Sequence, residues 1–312
     1  MSPSSNIIPD ISAVLAEETA LASPRIEQTC RDISKAHNDH VLGFLYYGSS
    51  LRDIDDASKM LDFYVIVESY KAVHKGRPIR QLINRLIPPV VYYYERKDAD
   101  GTLTTCKYSL ISLPEFERRC TSAARLSVIW GRFSQPSLLY FPKDEAIKDR
   151  ILTARANAVL HIARSTEGLF NASTDAISFW ACGFRESYRT ELRPESSDGK
   201  SKEIVAKYAD RYTRLMDIIY GAPNDTGQYA IPPAPEARAK RQWFFRRLIG
   251  KPTAGLRVLC NALTFDGGLG YVLRKLERHS GVTIAPSPFQ RKHPVLCSPI
   301  LAWKLWRKGA FK

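Results

Sequence analysis

The chain has 312 residues, of which 44% are hydrophobic and 25% charged, a composition typical of folded globular proteins and not of disordered ones. It contains no run of about 18 uncharged apolar residues, so the sequence predicts no membrane-spanning helix. The formal net charge of +14 indicates a surface that attracts polyanions. Nucleic acid, anionic lipid headgroups and nucleoside triphosphates all remain candidate partners, because charge alone does not choose among them.

Two features of the chain bear on its compartment and on metals. The N-terminal segment carries Asp10, Glu17 and Glu18 and has no basic stretch followed by an apolar one, so it resembles neither a secretory signal nor a transit peptide. We therefore expect a cytoplasmic protein whose contact with lipid is peripheral. The six cysteines are scattered without a C-x-x-C pair, which indicates reduced thiols and not a zinc site.

The first part of the chain predicts a mixed α/β unit. The predicted elements, in chain order, are helices over 10–37, strands Val41–Tyr47 and Leu61–Val67 joined by a polar loop, a helix Ile79–Leu86, a strand Val90–Glu95, a turn Asp98–Gly101, a strand Thr102–Ser112, and a segment 113–142 that is helical and then extended. Strand alternation in the second strand puts Asp62, Tyr64 and Ile66 on one face of the sheet.

The rest of the chain changes character after Pro142. Residues 143–220 show helical periodicity, and residues 221–236 form a proline-rich connector. Lysine and arginine are dense beyond it. We predict three parts: residues 1–142 as the α/β domain, 143–236 as a helical domain and 237–312 as a basic C-terminal region.

A glycine-serine turn followed by a strand carboxylate is the first signal of chemistry. Gly48, Ser49 and Ser50 end the first strand, and Asp62 lies in the next. Nucleotidyl transfer uses such a turn to hold triphosphate oxygens, facing carboxylates that hold Mg²⁺. An ordinary turn beside a strand-end acid is the alternative interpretation. Enzymes of this class usually carry Asp-x-Asp on the strand, whereas here Tyr64 takes the second position.

Several stretches of the sequence resemble one family. They are, in order, Tyr47-Gly-Ser with Asp62 in a Leu-Asp-Phe context, Cys106–Ser112, Trp130–Pro136, Ser187-Tyr188 with Glu191 and Arg193, and Leu263–Gly268 with Tyr271–Leu276. Together they are similar to the mitochondrial translocator assembly and maintenance proteins, the peripheral phosphatidate cytidylyltransferases, and to their bacterial relatives. The family has Asp where this chain has Glu191, and Gly where it has Ser50.

The resemblance implies a fold and a reaction. The fold would be a polymerase-β-like nucleotidyltransferase domain with a mixed sheet, a mainly helical, winged-helix-like domain and a basic C-terminal amphipathic segment. The reaction would join CTP to phosphatidic acid of an anionic membrane, with Mg²⁺ as cofactor and no stable nucleic-acid partner. A bacterial relative would act at the inner face of the cell membrane.

The resemblance also implies roles for single residues. Asp62 and Glu191 would ligate the metal, and Lys107 would neutralise charge on the phosphates. Gly48, Ser49, Ser50, Arg132, Tyr188 and Arg193 would bind substrate. The alternatives are a solvent-facing strand lysine at 107, a loop cation at 132, and a surface ion-pair cluster of Glu191 with Arg189 and Glu195.

The last fifteen residues have the composition of an interfacial anchor. Trp303 and Trp306 would lie at headgroup depth, while Lys304, Arg307 and Lys308 would meet anionic phosphates. A terminal helix whose tryptophans dock on the protein is the alternative. Two other functions also stay open: a nucleotidyltransferase acting on RNA or on a soluble acceptor, and a non-enzymatic basic binding protein on a degenerate nucleotidyltransferase fold.

Overall fold

The computed structural model is a mixed α/β structure with a five-stranded mixed sheet and many helices. The residues it describes are 7–48, 51, 56, 59–86, 88–98, 101–191, 197–264, 281, 283, 285–292, 300, 303–304 and 307.

The central sheet is built from five strands in the first 140 residues. They are β1 (Val41–Tyr46), β2 (Leu61–Val67), β3 (Val90–Lys97), β4 (Leu103–Ser112) and β5 (Leu138–Tyr140), in the spatial order β3-β4-β2-β1-β5. The β2–β4 pair is parallel, and the other pairs are antiparallel. The predicted strands are therefore confirmed, and β2 has the predicted bounds.

The helices flank the sheet and fill most of the chain beyond it. They are α1 (Ile7–Ala16), α2 (Pro24–Ala36), α3 (Tyr70–Val73), α4 (Pro78–Leu86), α5 (Leu113–Arg119), α6 (Trp130–Phe133), α7 (Glu145–Thr166), α8 (Ala176–Tyr188), α9 (Ser197–Lys207), α10 (Ala209–Tyr220), α11 (Glu236–Thr264) and α12 (Pro288–Lys292). The helical character predicted for 143–220 is confirmed, except that a two-residue strand β6 (Ser173–Thr174) pairs with β7 (Tyr229–Ala230).

Capping residues explain where two of the long helices begin. The Asp144 carboxylate accepts a hydrogen bond from the backbone N–H of Ile147 at 2.8 Å, so α7 starts just after Pro142. Asp175 accepts one from the N–H of Ser178 at 2.9 Å and starts α8. Such caps satisfy N–H groups that the first turn of a helix leaves without partners.

Strand alternation divides the core into two clusters on the two faces of the sheet. Phe63 and Val65 of β2 pack with α2 in one cluster, and this side is called the α2 face. Tyr64 and Ile66 belong to a second cluster, which continues from the sheet into helices α1, α7, α8 and α10. This side, called the Asp62 face, is the face that the alternation in β2 predicts for Asp62.

The long helix α11 links the helical layer to the sheet. It packs against the edge strand β3 and against the 3₁₀ turn Glu167–Leu169 that follows α7. A Cβ on Gly250 would lie 2.5 Å from the carbonyl oxygen of Thr190, so only glycine allows this close approach. The division into three parts at residues 142 and 236 stays a prediction.

Candidate active site

The turn after β1 approaches the predicted carboxylate closely. The backbone N–H of Tyr47 donates to the carbonyl oxygen of Asp62 at 3.1 Å and extends the β1–β2 pairing by one residue. Gly48 then adopts φ +95°, and a Cβ there would lie 3.1 Å from Asp62 Oδ2. Glycine is thus favoured at position 48 because of the left-handed backbone, and because a side chain there would crowd the Asp62 carboxylate. Ser49 and Ser50 lie outside the described residues, so their role in binding phosphate stays a prediction.

Asp62 and Lys107 form an ion pair across the parallel strands. They are register partners in β2 and β4, and Lys107 Nζ lies 3.2 Å from Asp62 Oδ1. The contact lacks hydrogen-bond alignment, and among the described residues the buried Oδ1 has no hydrogen-bond partner. Buried polar atoms in proteins nearly always have a hydrogen-bond partner. An oxygen without one is a candidate contact for a cation or a ligand. Lys107 therefore faces Asp62, although its side chain keeps 39% of its surface exposed.

Arg132 and Glu191 form a second ion pair beside Tyr47. Arg132 lies on α6, its guanidinium stacks 4.8 Å above the Tyr47 ring, and Nη2 is 3.8 Å from Glu191 Oε2. Burial opposes the charge, but Tyr47 and Glu191 outweigh it and raise the pKa of Arg132 above its ordinary value. Arg132 is therefore a permanent, partly buried cation on a helix and not a loop cation. Arg189 does not join this pair, because it binds Glu186 at 2.9 Å.

A tight contact between α6 and the end of α8 holds Arg132 against Glu191. A Cβ on Gly131 would lie 2.1 Å from Ser187 Oγ, so glycine lets the two helices touch. The Tyr188 hydroxyl donates to Gln135 Oε1 at 2.9 Å, and Gln135 Nε2 donates to the Gly131 carbonyl oxygen at 2.9 Å. This places the buried Tyr188 in the scaffold behind the ion pair. Arg193 lies outside the described residues.

Tyr64 shows why a second strand carboxylate is missing. Its ring is buried between Tyr47, at a centroid distance of 5.3 Å, and Phe133, at 4.8 Å. An acid at this position would lie in an aromatic cluster and would be desolvated. The tyrosine therefore continues the core where related chemistry would place a metal ligand.

Nothing in the local sequence pattern indicates that α11 reaches the site. Arg257 lies far along this helix and is close enough to Tyr64, Glu191 and Arg132 to interact with them electrostatically. Burial is the largest influence on Arg257 and lowers its pKa, and its Nε finds no hydrogen-bond partner among the described residues. Helix α11 begins more than 100 residues after β4 ends. No local sequence pattern therefore connects Arg257 to Asp62.

The candidate metal ligands of the site are the carboxylates of Asp62 and Glu191. Among the residues that the structure describes, no group of three or more His, Cys, Asp or Glu side chains is arranged to hold an ion. Mg²⁺ usually binds proteins through one or two carboxylates together with substrate phosphates and water. Asp62, whose Oδ1 lacks a hydrogen bond, and Glu191 fit that mode, and they do not fit an all-protein cage.

The C-terminal segment is described at only a few positions. Trp303, Lys304 and Arg307 are exposed, and the Arg307 guanidinium lies 4.9 Å above the Trp303 ring. Trp306 and Lys308 lie outside the described residues, so the membrane contact of this segment stays a prediction. No helix among the described residues is both long and apolar enough to cross a bilayer.

Comparison with known proteins adds no family assignment. Neither the models of protein families nor the curated proteins give a match to this chain. The assignment of chemistry therefore depends on the geometry of the two ion pairs.

Proposed function

We propose that this protein is a Mg²⁺-dependent phosphatidate cytidylyltransferase, which converts CTP and phosphatidic acid to CDP-diacylglycerol and pyrophosphate. The proposal includes a polymerase-β-like fold for the sheet domain, a winged-helix-like helical domain, and peripheral attachment to the inner face of a bacterial membrane. The observation that carries it is the convergence of five segments of the chain. Gly48, Asp62 with Lys107, and Arg132 with Glu191 meet around Tyr47 on one face of the sheet.

The charges of this site suit a triphosphate. Lys107, Arg132 and Arg257 offer three cations on the Asp62 face, and Arg132 stays charged although it is partly buried. Fixed cations in a partly desolvated site stabilise charge that develops on phosphate oxygens. The left-handed turn at Gly48 also leaves the backbone bare beside Asp62, and a phosphate can approach bare backbone closely.

The reaction needs positioning more than proton transfer. A phosphate oxygen of phosphatidic acid attacks the α-phosphorus of CTP; the new P–O bond forms as the bond to the bridging oxygen breaks and pyrophosphate leaves. The attacking oxygen is already ionised, so no general base is required. Mg²⁺, held by Asp62 and Glu191, would neutralise phosphate charge when bound. Lys107 and Arg132 would hold the phosphates in line.

A non-enzymatic function has one observation in its favour. Both carboxylates already have a cation as partner, and Tyr64 replaces the second strand acid. A degenerate nucleotidyltransferase that only binds anions would look the same. That function predicts no metal-dependent turnover.

Transfer of radiolabel from CTP into chloroform-extractable lipid tests the proposal. Vesicles containing phosphatidic acid and Mg²⁺ are incubated with the wild type and with Asp62→Asn. We expect the wild type to form CDP-diacylglycerol and the variant to lose about 10²–10³-fold in rate, because a carboxylate that would hold Mg²⁺ is lost without a change of shape.

Asp32→Asn is the matched control. Asp32 lies on α2 on the other side of the sheet, and Arg96 Nη1 lies 3.1 Å from its Oδ2, much like the distance from Lys107 to Asp62. This variant should keep its activity. If the wild type forms no labelled lipid with any of the four nucleotides, the proposed function is wrong.

A further inference from the structure

Helix α11 exposes a row of large apolar side chains that no other described element covers. Phe244, Phe245, Leu248 and Ile249 each keep between 44% and 58% of their surface exposed. With Arg241 they form what is here called the α11 outer face. Scattered single apolar residues on a surface need no explanation, whereas a contiguous group of this kind marks an interaction site.

The opposite side of the helix fixes its rotation. Ala239, Trp243 and Gly250 are buried, and Trp243 Nε1 donates to the Ser165 carbonyl oxygen at 2.9 Å. At 3.6 residues per turn, the α11 outer face covers an arc of about 140° centred roughly opposite these three residues. The apolar face therefore cannot turn inward without exposing Trp243.

Cations surround the α11 outer face. Lys240 and Lys251 lie beside it, and a cavity of about 820 Å³ opens next to Phe244 between α8 and α11. The cationic side chains that line this cavity are Arg185, Arg189, Lys240, Arg241 and Arg247. Glu186 is its buried acid and pairs with Arg185, Arg189 and Arg247 at 3.6, 2.9 and 2.5 Å. Glu236 also lines the cavity and pairs with Lys240, so two carboxylates face five cationic side chains and the cavity stays positive.

We infer that the α11 outer face docks on an anionic membrane, with Phe244, Phe245 and Leu248 in the interface and lipid phosphates at the adjacent cavity. Apolar side chains flanked by cations are the pattern of interfacial helices, and each nearby cation adds attraction to anionic lipid. This surface differs from the C-terminal segment around Trp303, and nothing in the sequence pattern singled it out.

Charge argues against the other occupants. A second copy of the chain carries the same net charge of +14. Residues 281–312 contain no Asp or Glu, so this segment would be repelled by Arg241 and Lys251. Single-stranded RNA would use the two phenylalanines as stacking platforms, but Leu248 and Ile249 have no aromatic face to offer a base.

Vesicle co-sedimentation without nucleotide tests the inference. Phosphatidylglycerol mixed with phosphatidylcholine is compared with phosphatidylcholine alone, using the full chain and the double variant Phe245→Ser with Leu248→Ser. We expect the wild type to bind only the anionic vesicles. The variant should lose at least about tenfold in partitioning, because two apolar side chains no longer enter the interface. Its melting temperature should not fall, since both residues are exposed.

Leu82→Ser with Leu86→Ser is the matched control, because both leucines are exposed on α4, which packs on the α2 face of the sheet through the Asn84–Tyr92 hydrogen bond. Equal losses in the two double variants would overturn the inference, as would unchanged binding by the α11 variant. An α11 variant that loses RNA binding but keeps vesicle binding would assign the face to nucleic acid, and one that converts a dimer to a monomer would assign it to a second copy.

The inference names the surface by which the proposed enzyme would reach its lipid acceptor. Binding is measured without CTP, so the two proposals can fail separately. Vesicle binding without cytidylyl transfer would contradict the proposed function alone. Transfer to phosphatidic acid that survives in the α11 variant with unchanged vesicle binding would contradict the docking surface alone.

Discussion

The two faces of the central sheet differ in the titratable groups that they bury, although the same strands build both. On the α2 face, His37 Nε2 contacts the Tyr108 hydroxyl at 3.0 Å and His74 Nε2 the Tyr92 hydroxyl at 3.2 Å. Burial lowers the pKa of both histidines to about 4, so they are neutral near pH 7. On the Asp62 face, charged groups are retained. On the α2 face, desolvation keeps the buried histidines neutral. On the Asp62 face, neighbouring opposite charges offset the cost of desolvation.

This difference separates stability from function. The neutral rings and apolar side chains of the α2 face contribute burial free energy and fix the strands, and the Asp32–Arg96 pair on this side is only partly buried. A face of paired charges contributes little net stability, because desolvation cancels much of the attraction. Substitutions on the two faces should therefore affect different measurements.

The largest effect is expected on the α2 face. Phe63 is fully buried in its cluster, so Phe63→Ala removes a ring from a packed core and leaves a cavity. We expect the free energy of unfolding to fall by about 3–5 kcal/mol. Urea denaturation followed by circular dichroism measures it. A loss well under 1 kcal/mol would show that this face does not hold the fold together.

A smaller effect, on a different quantity, is expected from Lys107→Met on the Asp62 face. The proposed cytidylyl transfer should fall about 100-fold, because a cation at the phosphates is lost, while the urea midpoint shifts little, because the Lys107 side chain is 39% exposed. Lys97→Met is the control, since Lys97 is an exposed lysine on β3 of the same sheet. Similar rates for the two variants would remove Lys107 from the site.

The smallest effect concerns pH. His37 has a pKa of about 4 when folded and an ordinary value near 6.5 when unfolded. Between these values the unfolded chain binds more protons, so stability falls as pH falls from about 6.5 to about 4 and is unaffected above this window. His37→Gln should reduce the difference in unfolding free energy between pH 7 and pH 5 by up to about 2 kcal/mol. An unchanged difference would mean that His37 does not titrate this way.

Much of the fold could be predicted because local patterns determine it. Leu61–Val67 is an uninterrupted apolar run except for Asp62, and it forms β2 with those bounds. The two-residue strands β6 and β7 could not be predicted, because Ser173–Thr174 and Tyr229–Ala230 are too short to show periodicity and pair across more than 50 residues. Their pairing depends on the packing of the helices between them.

The site was predictable in part for the same reason. Asp62 was placed on its face by alternation, and Lys107 meets it because parallel register aligns β2 with β4. The pairing of Arg132 with Glu191 depends on how α6 meets α8, and Arg257 depends on the path of α11. Tertiary packing determines such contacts, and local sequence patterns do not predict it.

Helix α11 also sets the distance between its outer face and the candidate site. Leu248 on its outer face and Arg257 beside the candidate site are nine residues apart on the same helix, with Pro252 between them. At 1.5 Å per residue, this separates the proposed docking surface from the candidate site by about 14 Å along the helix axis. Lengthening the helix between them would move one relative to the other in fixed steps. The depth at which the chain meets a bilayer would then decide which substrate atoms come within reach of its cations.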